Sequence, residues 1–522
     1  MSSEQPKLDG PDLTLGISLT ALADGAMLLG HANGEAVMVV RRGDDVFAIG
    51  AVCTHYSGPL AEGLLDGDRV HCPWHHACFS VRTGEALHAP ALNPVACWHV
   101  DVRGGKAYVT EKVEREPLAP TPNPSKRGAP LPSTIGIIGG GAAGNAAAEM
   151  LRREGYDGRI TVLDADADSP YDRPNLSKDY LAGNAPEEWI PLRPSGFDEA
   201  NGIEIVRSQV ASLDAKNKSV TLDGGTQHRF DRLLLATGAS PIRLTVPGSD
   251  SPSLHYLRSL ADSRGIVAAS ASATRAIVIG ASFIGLEVAA SLRARGLEVH
   301  VVAPEALPFE KVLGTELGKF IKALHEEHGV VFHLQRTVAS FNAAGVVLND
   351  GENLAGELIV AGIGVRPNVA LAEAAGLATD RGVTVSELLE TSATGVFAAG
   401  DIARWPDAWT GERIRVEHWV AAERQGQAAA RNLLGAREPF HAAPFFWSAH
   451  YDVTITYVGH ASSWDRIEIQ GSIGKRDCAL AYQTKGKTMA VASIFRDSVS
   501  LAAEVAMERG DANAVSALFA GK

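Results

Sequence analysis

Cysteine is scarce in this chain of 522 residues, which contains only five. Because the number is odd and the positions are scattered, a disulfide framework is not expected and a reducing compartment is indicated. No C-x-x-C or C-x4-C pair occurs, and no cysteine lies near the segment Leu176-Ser177-Lys178. These absences argue against a redox-active dithiol and against disulfide reduction as the main activity.

Long apolar runs and basic clusters are also missing. Without a run of 18 or more apolar residues, the sequence predicts no membrane span. The 48 Lys and Arg residues are outnumbered by 61 Asp and Glu residues, and the formal net charge of -13 argues against a nucleic-acid partner. The first residues, MSSEQPKLDGPD, lack the basic and apolar segments of a secretory signal, so we expect a cytoplasmic protein.

The pattern of apolar residues changes three times along the chain. The N-terminal part alternates short apolar runs with turn residues, which is typical of an all-β module. After a proline-rich linker, the order strand, glycine loop, helix and strand occurs twice, from Ile135 and from Ala276. This repetition predicts an α/β region with two dinucleotide-binding units, followed from Pro439 by an aromatic, α+β C-terminal domain. The expected boundaries are 1–112 for the β module, 113–132 for the linker, 133–250 and 371–438 for the first dinucleotide unit, 251–370 for the second, and 439–522 for the last domain.

Two short segments each place a cysteine before a histidine, as Cys53-Thr54-His55 and Cys72-Pro73-Trp74-His75. Zinc also accepts two cysteines and two histidines, so a zinc knuckle is one interpretation. In the usual zinc finger, however, the two cysteines form one pair and the two histidines the other. One cysteine and one histidine in each segment suit a two-iron cluster, in which two thiolates bind one iron and two imidazoles bind the other.

The order C-x-H and then C-x-x-H resembles the Rieske ferredoxin domain, and Gly58-Pro59 and Pro73-Trp74 are typical of its two cluster loops. The resemblance implies a [2Fe-2S] cluster. Its implied ligands are two thiolates and two imidazoles: Cys53, Cys72, His55 and His75. The additional His71 and His76 are expected to be solvated and not to bind iron.

The first glycine motif, Gly139-Gly140-Gly141-Ala142-Ala143-Gly144, follows a predicted strand and opens a predicted helix. In this context Gly139 makes the tight turn, Gly141 admits a pyrophosphate, and Gly144 lets helix and strand pack closely. An acidic residue after the next strand binds the ribose hydroxyls. Asp164 and Asp166 both qualify, and the family resemblance described below favours Asp166, counted back from the segment YDRP.

Three later segments, YDRPNLSK, LLLATG and GVFAAGD, are typical of FAD-binding reductases. The residues within them that are expected to bind the flavin nucleotide are Arg173 in the first segment, Ala236, Thr237 and Gly238 in the second, and Gly400 and Asp401 in the third. Together they resemble, from about residue 133 to the end, the FAD-dependent ferredoxin reductases of oxygenase systems. With the Rieske module in front, the whole chain resembles the apoptosis-inducing-factor-like oxidoreductases. This resemblance implies a glutathione-reductase-like fold, with Asp401 holding the ribityl chain of FAD.

The second glycine motif reads Gly280-Ala281-Ser282-Phe283-Ile284-Gly285, and its position in the family implies that it binds NAD(P)H. Ser282 replaces the middle glycine and is expected to crowd the pyrophosphate slightly. The acidic residue that normally ends the next strand is replaced by Ala303, with Glu305 two residues further on. No arginine is near these positions in the sequence to bind a 2′-phosphate, so NADH is favoured over NADPH.

The family resemblance also implies which residues lie near the reacting ring of the flavin. It pairs Lys178 with Glu287, and this pair has either a role at the flavin or only a structural role as a buried ion pair. Glu417-His418-Trp419 is expected to border the ring, with Trp419 between flavin and cluster. Trp447 packs near the ring or belongs to the core.

These features predict an NADH-dependent flavoprotein that passes electrons from FAD to its own [2Fe-2S] cluster and then to an external acceptor, an oxygenase component. Flavin converts the electron pair of NADH into single electrons, which the cluster requires. Two other functions are consistent with the same motifs. One is a redox sensor that signals through a partner, and the other is an enzyme that reduces a small molecule or oxygen directly.

Overall fold

The computed structural model describes residues 8–113 and 130–520. Most of the predicted linker, residues 114–129, lies outside the described residues. Within the described ranges, no helix has the length and apolar character that crossing a membrane requires.

The N-terminal module is built from two antiparallel sheets. A six-stranded sheet has the order β1-β10-β9-β4-β3-β2, and a four-stranded sheet has the order β5-β6-β7-β8. Tight turns at glycines with positive φ, such as Gly43, connect the hairpins. The ten strands are β1 (Ile17–Ser18), β2 (Met27–Ala32), β3 (Glu35–Arg42), β4 (Asp45–Gly50), β5 (Leu64–Asp66), β6 (Arg69–His71), β7 (Cys78–Ser80), β8 (Ala86–His88), β9 (Cys97–Arg103) and β10 (Lys106–Val113).

The next region begins with a parallel sheet whose central strand is buried on both faces. Its elements up to residue 250 are β11 (Thr134–Ile138), α1 (Ala142–Arg153), β12 (Arg159–Asp164), α2 (Asp179–Ala182), α3 (Phe197–Ala200), β13 (Ile203–Arg207), β14 (Val210–Asp214), β15 (Ser219–Leu222), β16 (Gln227–Arg229), β17 (Arg232–Leu235) and β18 (Ala239–Pro241). Strands β14 to β16 form a small antiparallel sheet beside it.

The second α/β unit repeats this plan. Its elements are β19 (Leu254–Tyr256), α4 (Leu260–Ser270), β20 (Arg275–Ile279), α5 (Phe283–Ala294), β21 (Glu298–Ala303), α6 (Glu310–Glu327), β22 (Val330–Leu334), β23 (Val338–Asn342), β24 (Gly345–Leu348), β25 (Asn353–Ala355), β26 (Leu358–Ala361) and β27 (Val365–Pro367). Its parallel sheet has the order β19-β26-β20-β21-β22, and β23 to β25 form the matching antiparallel sheet.

The chain then returns to the first unit and ends in an α+β domain. The remaining elements are α7 (Ala370–Ala374), β28 (Val383–Thr384), β29 (Val396–Ala398), β30 (Ala403–Pro406), β31 (Arg413–Ile414), α8 (Trp419–Leu433), β32 (Phe445–His450), β33 (Val453–Gly459), β34 (Arg466–Ser472), β35 (Asp477–Thr484), β36 (Lys487–Ile494), α9 (Asp497–Glu508) and α10 (Ala512–Ala517). Strand β29 completes the first parallel sheet in the order β13-β12-β11-β17-β29. The last domain is a five-stranded antiparallel sheet, β32-β33-β36-β35-β34, with α9 and α10 against it.

This architecture confirms the predicted fold class of an all-β module, two dinucleotide-binding α/β units and a C-terminal α+β domain. The two parallel sheets have equivalent strand orders, which is the internal repeat that the two glycine motifs predicted.

Buried polar contacts attach the β module to the rest of the chain, and we call this surface the docking interface. Its centre is Arg424 of α8, which donates hydrogen bonds to the carbonyl oxygens of Ala89 (3.2 Å) and His76 (2.9 Å) and forms an ion pair with Glu504 of α9. Burial raises the pKa of Glu504, but the charge of Arg424 overcomes this effect and the pKa is lowered. A second buried pair joins Arg153 to Glu85 at 3.1 Å.

Candidate functional site

The two cysteine–histidine loops of the β module have the same backbone shape. In each, the cysteine N–H donates to the carbonyl oxygen five residues later, from Cys53 to Gly58 at 2.9 Å and from Cys72 to Ala77 at 2.8 Å. The fourth residue after each cysteine, Ser57 or His76, has a positive φ and donates its N–H back to the cysteine carbonyl. Two matching loops therefore present their side chains toward one another.

These loops bring the four predicted ligands into two pairs. The thiols of Cys53 and Cys72 are close enough that each changes the pKa of the other, and the Nδ1 atoms of His55 and His75 are 3.2 Å apart. Burial lowers the pKa of His55 to about 3 and that of His75 well below its ordinary value, so both rings are neutral, which is the form that binds a metal.

The pairing discriminates between the two metal sites that the sequence allowed. Among residues 8–113 and 130–520, no group of three or more His, Cys, Asp or Glu side chains is arranged to hold one metal ion. A tetrahedral zinc site needs four ligands around one ion, whereas each iron of a Rieske cluster takes only two ligands from the protein. A thiol pair beside an imidazole pair fits the [2Fe-2S] cluster.

The expectation that His71 and His76 are solvated is wrong. His71 is 4% exposed and His76 is fully buried. His76 pairs with Glu504 and stacks on Phe445 with ring centroids 3.9 Å apart. The error arose because the partners of His76 are supplied by the C-terminal domain, which the pattern around residue 76 does not reveal.

A narrow cavity follows the first glycine motif and has the shape expected for a dinucleotide. A Cβ atom at Gly144 would collide with the carbonyl oxygen of Gly139, whereas a Cβ at Gly141 would meet nothing closer than the Arg173 guanidinium at 3.5 Å. The loop is thus closed on the packing side and open on the cavity side. The other predicted FAD-binding residues that line this cavity are Asp164, Asp166, Ala236, Thr237, Gly238, Gly400 and Asp401.

Positive charge faces the centre of this cavity. Arg173 and Arg258 both line it. Burial and the charge of Arg258 lower the pKa of Arg173. Arg258 also pairs with Asp401 at 2.5 Å. Two guanidinium groups beside the N-terminus of α1 form an anion site suited to the pyrophosphate of FAD.

A second, larger cavity of about 680 Å3 opens beyond the first. Arg173, Arg258 and Asp401 line both, so a dinucleotide can extend from one into the other. The predicted catalytic and ring-bordering residues that line the large cavity are Lys178, Glu287, Glu417, His418 and Trp419. The Nδ1 atom of His418 is buried and has no hydrogen-bond partner within the described residues, which leaves it available to a ring held in this cavity.

Lys178 and Glu287 form an ion pair in the wall of the large cavity, with Nζ and Oε2 2.8 Å apart. Glu287 is 3% exposed and comes from α5, whereas Lys178 precedes α2. The Ser177 hydroxyl also donates to Glu287 at 2.6 Å. The pair therefore joins the two dinucleotide units in the wall of the large cavity.

The second glycine motif lies at the other side of the large cavity. Gly280 has a φ of +111°, and a Cβ at Gly285 would collide with its carbonyl oxygen, so this loop is also tightly closed. The Ser282 hydroxyl donates to the carbonyl oxygen of Gly362 at 3.3 Å. The Ser282 hydroxyl is thus directed away from the space that a pyrophosphate needs, which reduces the crowding expected from the sequence.

No arginine is near the end of β21 in the sequence, but strand pairing brings the backbone of Arg336 beside it. Strand β22 pairs with β21, and the N–H of Arg336 donates to the carbonyl oxygen of Ala303 at 3.1 Å. The Arg336 guanidinium pairs with Asp350 at 3.1 Å and with Glu352. Glu305 lies beside this position, 3.6 Å from Lys311.

Trp447 is the aromatic residue that links the large cavity to the cluster loops. It lines that cavity, and its ring centroid lies 4.1 Å from that of His75 and 6.3 Å from that of His55. Trp419, the residue favoured from sequence, instead lies under the guanidinium of Arg173. The sequence signal for Trp447 was its FFWS segment, which did not distinguish core packing from contact with the cluster module.

Comparisons with known proteins agree with this arrangement. Residues 17–99 match the Rieske [2Fe-2S] domain, residues 133–426 the pyridine nucleotide-disulphide oxidoreductase family and residues 445–520 the reductase C-terminal domain. Apoptosis-inducing factor 3 of Mus musculus is 34% identical over 503 residues, which cover 93% of this chain and 82% of the mouse protein. The chain belongs to the apoptosis-inducing-factor-like oxidoreductases.

Members of ferredoxin reductase systems resemble the C-terminal two thirds of this apoptosis-inducing-factor-like chain. The ferredoxin–NAD(+) reductase component of the anthranilate 1,2-dioxygenase system of Burkholderia cepacia is 35% identical, covering 62% of this chain and 81% of its own length. The crystal structure of the ferredoxin reductase for the CYP199A2 system of Rhodopseudomonas palustris superposes with a TM-score of 0.67 at 35% identity, covering 69% of this chain and 91% of that one. This chain is therefore a ferredoxin-NAD(P) reductase-like flavoprotein oxidoreductase that uses FAD, NADH and a Rieske [2Fe-2S] cluster.

Proposed function

We propose that the enzyme transfers electrons from NADH through FAD to its own Rieske cluster, and from there to an external acceptor that is an oxygenase component. FAD supplies the conversion of an electron pair into single electrons. In this proposal Cys53, Cys72, His55 and His75 hold the cluster, and the residues around the first glycine motif hold FAD.

The contact between Trp447 and His75 carries this proposal. Trp447 lines the cavity that also contains Lys178, Glu287 and the second glycine motif, and its ring touches a predicted iron ligand. The imidazole edge of the cluster module thus faces the reductase and not bulk solvent. Such an arrangement suits electron transfer within one chain.

The docking interface supports the same direction of transfer. Arg424 binds the carbonyl oxygen of His76, the residue next to the predicted ligand His75, and therefore fixes this loop on the reductase. A tethered module has an effective concentration of about 1 mM near its partner, and a docked one is held still more closely. No separate ferredoxin is needed for this step.

An oxygenase acceptor is supported by a relative's name and by one exposed residue. The Burkholderia cepacia relative is a component of a dioxygenase system. Trp74 lies between Cys72 and His75 and is 43% exposed, so one side of the cluster loops stays accessible to a partner while the other faces Trp447. We propose the cytoplasm as the location, as expected from the sequence.

An electron paramagnetic resonance spectrum of the full chain, frozen after addition of NADH, tests the proposal. A Rieske-type signal is expected in the wild type, together with bleaching of the flavin absorbance. Bleaching without that signal would show that electrons do not reach the cluster.

Two further measurements separate the alternatives from electron transfer through the cluster. The variant Cys72→Ser is expected to retain flavin reduction by NADH but to lose reduction of a one-electron protein acceptor. Unchanged acceptor reduction would favour a direct reductase. A redox sensor would show little turnover of NADH even with artificial acceptors.

A further inference from the structure

A groove of about 410 Å3 lies where the second cluster loop meets the C-terminal domain, and we call it the junction groove. The β module lines it with Glu62, Pro73 and Trp74, and the C-terminal domain lines it with residues 495–499, at the start of α9. Its walls therefore come from the two domains that the docking interface joins, and the groove is complete only when both are in place.

Trp74 connects this groove to the thiol side of the cluster loops. Its side chain is exposed, and a Cβ atom at Gly58 of the first loop would lie 2.5 Å from Sγ of Cys72 and 3.3 Å from Cδ2 of Trp74. The indole ring and the Cys72 thiol are thus packed against the same glycine. A molecule that touches Trp74 approaches the thiol pair, whereas Trp447 contacts the imidazole of His75.

Phe495 provides the second aromatic side chain of the groove and is 60% exposed. Its φ of +52° is in the left-handed region, which is unfavourable for a residue with a bulky side chain. The buried Ile494 ends β36 immediately before it, and α9 begins two residues after it. This short connection holds an aromatic ring in solvent at a cost in backbone strain, with little burial to offset the cost. Such a position favours a binding role over a packing role.

The charged side chains of the groove leave two carboxylates free. Among residues 8–113 and 130–520, the carboxylates of Glu62 and Asp497 have no ion-pair or hydrogen-bond partner. Arg496 also lines the groove, but its guanidinium is bound to Asp477 at 2.6 Å and to Gln470 at 2.8 Å. The groove therefore offers negative charge beside two aromatic rings.

These features suit a cationic side chain supplied by another molecule. Burial raises the pKa of Asp497, and His76, which is paired with Glu504, opposes this effect only in part. A further cation beside Asp497 would stabilise its ionised form. Arginine and lysine side chains also bind to the faces of aromatic rings. The formal net charge of -13 on the whole chain favours the approach of a basic partner.

We propose that the junction groove is the docking site of the external electron acceptor, and that this acceptor is a basic protein that places an arginine or lysine side chain in the groove. The cation contacts the rings of Trp74 and Phe495, and the carboxylates of Glu62 and Asp497 balance its charge. The inference rests on the proposed function and identifies the surface used for its last electron transfer. Electrons then arrive on the imidazole side of the cluster loops, under Trp447, and leave on the thiol side.

Binding is measured first, by calorimetry at low ionic strength between the oxidised full chain and oxidised cytochrome c, a basic one-electron carrier. The variant Glu62→Gln/Asp497→Asn is expected to bind about tenfold more weakly, and the difference should shrink at high salt. The matched control, Asp223→Asn/Asp250→Asn, removes the same charge at two exposed positions outside the groove. Equal weakening in the two double variants would show only general attraction and would overturn the proposal.

The variant Phe495→Gly separates docking from folding, because glycine adopts a positive φ without strain. It is expected to bind cytochrome c about tenfold more weakly while its melting temperature stays at or above that of the wild type. Trp189→Leu changes an exposed aromatic residue outside the groove and should bind as the wild type does. Wild-type affinity in Phe495→Gly would also overturn the proposal.

Electron transfer is then measured at steady state, where one NADH reduces two molecules of cytochrome c and yields NAD+ and one proton. The groove variants are expected to raise the KM for cytochrome c about tenfold. Turnover with ferricyanide, a small anion that does not need the groove, should be unchanged. Equal losses with both acceptors would show that the variants act on an earlier step, which contradicts a docking role.

The outcomes separate this proposal from the proposed function and from another occupant of the groove. A wild-type protein in which NADH never reduces the cluster would overturn the proposed function, and the binding of oxidised cytochrome c would still judge the groove by itself. Sedimentation of the wild type alone tests a second copy of the chain as the occupant. A dimer that Phe495→Gly dissociates would assign the groove to self-association and exclude the basic acceptor.

Discussion

The indole ring of Trp447 packs on the imidazole ring of His75, with ring centroids 4.1 Å apart and planes inclined by 39°. The two residues belong to β32 and to the second cluster loop, on opposite sides of the docking interface. No other aromatic residue in the described part of the chain both lines the large cavity and has a ring contact with His75. The pair is therefore the direct contact between the reductase cavity and the cluster loops.

Replacing Trp447 by Leu is expected to slow reduction of the cluster while reduction of the flavin by NADH is unchanged. The expected loss is about tenfold to a hundredfold, since a displacement of about 1 Å between reacting groups has effects of this size. Stopped-flow absorbance follows the flavin, and freeze-quench paramagnetic resonance follows the cluster.

Two further tryptophan variants provide the controls for that measurement. Trp189→Leu changes a residue that is 69% exposed and should leave both rates unchanged. Trp419→Leu tests the ring favoured from sequence. A larger loss of cluster reduction in Trp419→Leu than in Trp447→Leu would contradict the assignment of the contact to Trp447.

Replacing Arg424 by Met is expected to weaken the docking interface by about 3–5 kcal/mol, because the buried carboxylate of Glu504 would lose its guanidinium partner and keep only His76. The carbonyl oxygens of His76 and Ala89 would also lose their donor. Chemical denaturation followed separately at cluster and flavin absorbance should show the module losing its cluster at a lower denaturant concentration.

The double variant Arg424→Met/Glu504→Gln should recover part of this loss, since it removes the unpaired charge. Arg82→Met is the surface control, because the exposed Arg82–Asp68 pair should contribute less than about 1 kcal/mol. Equal effects of Arg424→Met and Arg82→Met would show that the buried pair does not hold the interface.

Stability should depend on pH through Asp172, which accepts a hydrogen bond from Tyr56 across the docking interface. Burial raises the pKa of Asp172 to about 6, so the folded chain binds this proton more tightly than the unfolded chain does. The free energy of unfolding therefore falls as pH rises from about 4 to about 6. Above about pH 6 the stabilisation that protonated Asp172 contributes, which is up to about 3 kcal/mol, is fully lost.

The variant Asp172→Asn should consequently have a higher melting temperature than the wild type at pH 7 and the same one near pH 4. Calorimetry of both proteins across this range measures the difference. Asp250→Asn, at an exposed position, is the control and should follow the wild type at every pH. A difference for Asp172→Asn that does not change with pH would exclude the titration of Asp172.

Coenzyme preference should change when Arg336 is freed from its two acidic partners. In the variant Asp350→Asn/Glu352→Gln the guanidinium becomes available near the end of β21, where a 2′-phosphate is expected. A charge-assisted hydrogen bond of about 1.5–3 kcal/mol would lower the KM for NADPH on the order of tenfold to a hundredfold, with little change for NADH. Steady-state kinetics with both coenzymes tests this, and Arg336→Gln in the same background should cancel the gain.

The features that could be predicted from sequence are those specified by neighbouring residues. Each cluster loop is a local structure closed by hydrogen bonds over five residues, and each glycine motif is closed by a contact between its first and last glycine. Their patterns therefore identify them without knowledge of the rest of the chain.

The features that could not be predicted depend on residues brought together from distant parts of the chain. His76 is buried only because Glu504 and Phe445 cover it, and Arg336 approaches Ala303 only because β22 pairs with β21. In the same way Trp447 contacts His75 only because β32 packs against the second cluster loop, and no local motif shows this contact.

The docking interface also constrains the order in which the protein matures. Trp447 and Glu504 lie roughly 370 and 430 residues after the cluster loops that they cover. During synthesis at about 5–20 residues per second, the imidazole edge thus stays uncovered for roughly 20–75 s. During that interval iron and sulfide can be delivered to the nascent N-terminal module from the face that Trp447 later occupies. Once the finished chain has left the ribosome and folded, delivery of iron and sulfide from that face requires the module to separate from Arg424.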